Sequence, residues 1–205
     1  MSVAKVQPVA NLKEYFKDAL HAALVNQRLS VEGETEHYVV NVLTLFARSD
    51  ALFEPTPAGR RLKPLVILLS EAMEARTRNE RNRGLQRLGD VSLFIAGFLA
   101  RGFARKVIDI DYHIAMGGCA YGTLARAAAP RGGCALAQVF AELAEKFQPM
   151  VDALNELSES GYAHSHEDVL RLYELWIKTR SRRSYALLKR LGIEPVGGAA
   201  LRALH

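Results

Sequence analysis

Asp109, Asp111, Tyr112 and His113 crowd a single turn of the chain, and a glycine-rich stretch, MGGCAYG (116–122), follows directly. A carboxylate beside an imidazole can orient it as a general base. Asp90 lies at the edge of an apolar run, placed to meet this cluster across a packing interface. Asp90, Asp111, Tyr112, His113 and Tyr121 are therefore the candidate ligand-binding residues of a pocket between the Asp90 helix and the Gly117–Gly122 helix. The same side chains also make a structural network. A carboxylate drawn into a core needs Arg, His or Tyr as a donor, because burying it unpaired costs on the order of several kcal/mol. The network is the favoured reading and catalysis the least favoured, since the chain contains no G-x-S-x-G, P-loop or G-x-G-x-x-G motif.

Other titratable pairs carry less. Glu34 and His37 have the Glu-x-x-His spacing of carboxylate-bridged metal bundles, but no second copy exists and the pair falls where a helix is starting. His164 and His166, beside Glu167, stand two apart and so do not share a helix face. No metal and no cofactor is expected. Arginines form the third constellation: Arg76, Arg78, Arg81, Arg83 and Arg87 in segment 76–87, and Lys178, Arg180, Arg182, Arg183, Lys189 and Arg190 in segment 178–190. Such clusters bind phosphate backbones, and Tyr185 could add a stacking surface. Arg83, Arg87, Arg180, Arg182 and Arg183 are the candidate phosphate or partner surface, with a solvated charged face as the preferred alternative.

These residues must be held by helices. Thr77 and Glu80 have the spacing of a capping box, so a helix starts there. From Val91 to Ala100 it carries no charge, which marks a core helix, because 10 residues fall short of the about 20 that a membrane span needs. Asn11 followed by Glu14 opens a first helix ending near Gln27, and Gly33 breaks the chain before a second helix over 34–48. The stretch SDALFEPTPAGRR (49–61) is a loop candidate, and LVILLSEAMEA after Pro64 reads as a short buried helix. Asp109 or Asp111 caps the glycine-rich helix, whose Gly117, Gly118 and Gly122 mark close approach to a neighbour or room for a ligand. A long helix over 136–158 should be kinked or restarted by Pro149. Ser165 and Asp168 open the next helix, and the last one stops at Gly192.

The segments RLGDVSLFIAGF (87–98), DIDYHIAMGGCAYG (109–122) and LRLYELWIKTRSRRSYALLKRLGIEP (170–195) together resemble a group of uncharacterised bacterial all-helical proteins of about 200 residues. The resemblance implies a bacterial origin and a helical domain, and it transfers no activity.

The 205 residues, 49% hydrophobic and 24% charged, suit one globular domain rather than a disordered chain. A net charge of +5 does not by itself indicate a nucleic-acid protein. Cys119 and Cys134 form no framework and read as reduced core residues, and the N-terminal segment has no apolar signal region, so a cytoplasmic location is expected. The expected fold is all-α, a single-domain bundle of about eight helices (1–195) around a central apolar helix (78–100), with a frayed tail (196–205). The expected function is a non-enzymatic interaction or regulatory protein that binds a protein partner or a second copy of itself. A small-molecule binder or enzyme is the alternative, and a nucleic-acid binder the third.

Overall fold

The computed structural model describes residues 12–47, 49–56, 59–99, 110–128, 135–159, 176, 179 and 181–190. The fold is all-α. The chain divides into two compact units, Met1–Ser158 and Glu159–His205, where the sequence reading has one domain over 1–195.

In the first unit, α1 (Leu12–Gln27) buries Phe16, Leu20, Ala23 and Leu24, one stripe at helical spacing. It ends in a Schellman turn: Arg28 takes φ 52°, its N–H donates to the Val25 carbonyl, and the Leu29 N–H reaches back to Leu24. Gly33 does not break the chain, as the sequence suggested, but is the first residue of α2 (Gly33–Phe46). The expected cap Asn11 lies outside the described residues.

The stretch 49–61 is not a plain loop. A single turn, α3 (Ser49–Leu52), leads into a two-stranded antiparallel hairpin, β1 (Glu54–Thr56) and β2 (Gly59–Arg61), with Glu54 opposite Arg61. Strands of three residues are too short to show an alternating pattern. Pro64 then immediately precedes α4 (Leu65–Glu74).

The capping box forms as the sequence requires. The Glu80 amide donates to the Thr77 hydroxyl at 3.1 Å, and the Thr77 amide to the Glu80 carboxylate at 3.0 Å. It opens α5 (Arg78–Phe94), which is continuous through Gly89 and passes into a π-helical turn over Ile95–Leu99. In that turn the buried Asn155 amide donates to Ala96 O at 3.3 Å, as well as to Val151 O within its own helix at 3.0 Å. Gly97 lets that turn lie against Leu154, whose Cβ stands 2.6 Å from where a Gly97 Cβ would be.

Helix α5 packs between α4 and α6 (Ile110–Ala128), and α6 in turn packs on α7 (Ala135–Glu145). The expected long helix is broken at Lys146 and restarts as α8 (Phe147–Glu159), with Pro149 in its first turn, where a missing N–H disrupts least. The core joins all these helices through residues such as Leu20, Leu43, Leu88, Leu93, Leu143 and Leu154. Among the described residues no helix is long and apolar enough to cross a membrane.

In the second unit the described part is mainly the helix Arg182–Arg190. Ser181 caps it by accepting the Ser184 amide at 3.1 Å, and Tyr185 lies 6.0 Å from the buried Trp176. The helix opened by Ser165 and Asp168, the stop at Gly192 and the tail lie outside the described residues.

Candidate functional site

Asp90 sits in the middle of α5 on its buried side, 8% exposed. Because the helix runs unbroken past it, it caps nothing and needs side-chain donors. Tyr121 of α6 and Tyr38 of α2 both supply them, each phenol donating to the same oxygen, Oδ1, at 2.7 Å. Gln86, one turn earlier on α5, donates to the Tyr38 oxygen at 3.0 Å. One carboxylate thus ties three helices together. Its neighbour Gly89 makes the contact feasible: a Cβ there would fall 2.6 Å from the Tyr121 ring. Tyr121 also stacks on Phe140 at 5.6 Å, and Tyr38 meets Phe140 edge-on at 5.7 Å, so aromatic surface encloses the network.

The enclosure sets the electrostatics. Burial pushes the Asp90 carboxyl up to about 6, against the two phenol bonds and the Arg87 charge, which pull it down. Burial, and then the Asp90 charge, push both Tyr38 and Tyr121 well above the ordinary phenol range, so both remain protonated donors. The arrangement can take up or release one proton near neutral pH. It is a structural lock packed with side chains, since Gly89 and Gly117, the glycines on the buried faces, are filled. A Cβ on Gly117 would lie 2.2 Å from Phe147 and 2.8 Å from Ser92.

The remaining residues of the proposed cluster are placed apart from Asp90. His113 is buried on the same face of α6 as Tyr121, two turns and about 12 Å further along the axis. Asp111 lies in the first turn of α6, inside the helix rather than at its cap, and Tyr112 is 41% exposed. Asp109 lies outside the described residues. Tyr38 and Gln86 were missed by sequence reasoning; the only signal was that a buried Asp must find donors, which does not say on which helix.

Glu34 and His37 are both exposed at the start of α2, and among the described residues no three metal-ligating side chains gather. His164, His166 and Glu167 lie outside the described residues. Cys119 is exposed, not a core residue as expected, because it falls on the outer face of α6; Cys134 lies outside the described residues.

The basic segments fall in different units. In the first, Arg76, Arg78, Arg81 and Arg83 are exposed at the start of α5. Arg78 donates to the Ala127 carbonyl, and Arg81 reaches the Met73 sulfur at 3.4 Å. In the second, Arg182 is exposed and Arg183 partly so, while Lys178 and Arg180 lie outside the described residues.

Arg87 differs from the other arginines. Half-buried, it lies 5.0 Å above the Phe46 ring, and its Nη2 stands 3.4 Å from the Leu52 carbonyl. Burial pushes it below the ordinary arginine range, opposed by the charges of Asp90 and Glu54. It lines a cleft of about 410 Å³ between the hairpin, α4 and the first half of α5. Lys63 spans that cleft, 2.9 Å from Glu54 and 2.8 Å from Glu71.

Helix α4 was expected to be buried, yet only one face is. Leu65, Leu68 and Ala72 pack inward, whereas Val66 (57%), Ile67 (44%) and Met73 (56%) face outward. An uninterrupted run such as LVILL puts apolar groups on both sides of a helix, and α5 covers only one. Comparison of the chain with protein-family models, with curated proteins and with solved structures gave no match.

Proposed function

We propose that this protein is a non-enzymatic interaction module that docks a protein partner on the outer face of α4. The exposed stripe of Val66, Ile67 and Met73 carries this reading. Residues 66 and 73 are two turns apart in one line, with the half-buried Leu69 at i+3 between them and Ile67 beside Val66, so 66, 69 and 73 follow the i, i+3, i+7 spacing by which a partner helix is gripped. Arg81, whose Nη2 stands 3.4 Å from the Met73 sulfur, borders the stripe, and the exposed Arg76 follows α4 two residues after its end, which favours a partner with acidic flanks. A bacterial, cytoplasmic setting rests on the sequence alone.

Magnitudes set the kind of complex. Fully burying a Val, Ile or Met gains about 1.5–3 kcal/mol each, and with roughly half of each side chain already covered the stripe offers about 2–4 kcal/mol in total. Association itself costs at least about 4 kcal/mol. The stripe is therefore an anchor that needs the arginine rim or a wider footprint to hold a partner.

The test is a paired substitution, Val66→Glu with Met73→Glu, in a tagged chain recovered from its native cells. Both side chains already face water, so circular dichroism and the melting temperature should match the parent. A stoichiometric partner, or self-association seen by sedimentation velocity, should be lost in the variant. The same partner at the same stoichiometry in both forms would refute the docking face, and no partner and no self-association in the parent would refute the interaction reading. Salt-sensitive retention of the parent on a nucleic-acid column would favour the arginines as a phosphate surface instead.

A further inference from the structure

We propose that the cleft between the hairpin, α4 and α5 binds a small zwitterion of the free amino acid class, carboxylate on Arg87 and ammonium at Glu80. The site lies away from the docking stripe, on the inward side of α4, and stands or falls independently of it. The first observation is a cation whose donors are largely unfilled among the described residues. A guanidinium carries five N–H donors in a planar fork. Among the described residues, that of Arg87 meets an aromatic face and one carbonyl at 3.4 Å, longer than an ordinary hydrogen bond, and both Asp90 and Glu54 act on it only through space. A half-buried guanidinium so placed is matched in geometry by a carboxylate, which accepts two parallel bonds from it.

The second observation selects among anions. Lys63 is held by Glu54 and Glu71, so it adds no free positive charge. Counting Glu54, Glu71 and Glu80 against Lys63 and Arg87, the lining carries one net negative charge. That field disfavours a phosphate dianion and favours a ligand that brings its own positive group. Glu80 is the available counterpart: its capping bond to the Thr77 amide uses Oε2. Glu80 and Arg87 are seven residues apart on one face of α5, about 10 Å along the axis. An amino acid with a hydrogen bond at each end bridges about 8 Å, which two flexible side chains close. The floor of Leu68, Ala72 and Ala75 is apolar and shallow, suited to a small aliphatic side chain. The volume of about 410 Å³ lies at the lower end of small-molecule sites.

The experiment uses the full chain, titrated by calorimetry and by thermal shift with each common L-amino acid, and with propionate, ethylamine and inorganic phosphate as single-sign probes. At least one amino acid should bind saturably, at least about tenfold more tightly than propionate or ethylamine. Arg87→Gln and Glu80→Gln should each weaken it about tenfold or more. The second variant guards the first: glutamine serves in a capping box as glutamate does, so Glu80→Gln keeps the helix start and removes only the charge. Should Arg87→Gln fail to fold, Glu80→Gln decides. The proposal is overturned if no amino acid gives a signal up to about 10 mM, if propionate or phosphate binds as tightly, or if Glu80→Gln binds like the parent.

Discussion

Replacing Asp90 with asparagine should make stability less dependent on pH, and the size of the change follows from the lock around it. Folding raises the Asp90 carboxyl from 3.8 to about 6, with burial as the main cause. Between those values the folded chain holds the proton more tightly than the unfolded chain, so the stability contributed by this group falls as pH rises through the window. The gap corresponds to about 3 kcal/mol. The amide cannot ionise, but its oxygen can still accept from both phenols. Relative to the parent, Asp90→Asn should therefore gain about 3 kcal/mol between pH of about 4 and about 7.5. Other groups titrate in both proteins alike, so the difference between parent and variant isolates Asp90. Asp90→Ala instead takes the carboxylate acceptor from both phenols, leaving the fully buried Tyr121 hydroxyl with Tyr38 alone, while Tyr38 is half-buried and keeps Gln86 as a partner. Both donors are neutral, so at acidic pH the loss should be about 1–3 kcal/mol rather than the larger cost of an orphaned charge. Urea melts of the three proteins across this range measure all of these values. A parent–asparagine difference that does not move with pH would show that the carboxylate is not desolvated as described.

The glycines of α6 should separate sharply. Gly117→Ala forces a Cβ to within 2.2 Å of Phe147 and should cost about 1–3 kcal/mol in denaturant melts, whereas Gly118→Ala meets nothing closer than 3.8 Å and should gain up to about 1 kcal/mol from helix propensity. An equal effect at both positions would contradict the packing. Arg28→Gly should stabilise the end of α1 by a few tenths to about 1 kcal/mol, because a non-glycine residue there holds φ 52°. A loss on that substitution would mean that the Arg28 side chain contributes more than the strain it carries.

The fold class was legible because helix signals are local. A capping box, a charge-free run and a proline in a first turn each act within a few residues, and Thr77, Val91–Phe94 and Pro149 do what their spacing implies. What was not legible depends on partners distant in the chain. Tyr38 and Asp90 are 52 residues apart, and no periodicity pairs them. The hairpin escaped notice because three residues per strand cannot establish a period of two. Helix α4 was read as buried because hydrophobicity reports that apolar groups are present, not how many neighbours exist to cover them. The cleft was invisible for a related reason: Glu54, Lys63, Glu71 and Arg87 come from three elements and the connection before α4, and as isolated charges each looks like an ordinary surface residue.

Arg87 joins the buried lock to the open cleft. Its positive charge helps hold the Asp90 carboxyl down, while its guanidinium faces the cleft that we assign to an amino acid. A carboxylate paired with Arg87 offsets that charge as seen from Asp90, so the Asp90 carboxyl rises further. Tyr38 on α2 and Tyr121 on α6, the other groups facing it, stay protonated throughout and do not compensate. At pH near 6, where Asp90 is half-ionised, binding must then draw in a fraction of a proton, and by the same linkage a lower pH must tighten binding. Calorimetric titration in two buffers of different ionisation enthalpy reads that uptake directly. The slope should be positive in the parent and absent in Asp90→Asn. Binding that persists with no proton uptake at this pH would uncouple the two sites, leaving Arg87 a ligand anchor with no influence on the core beneath it.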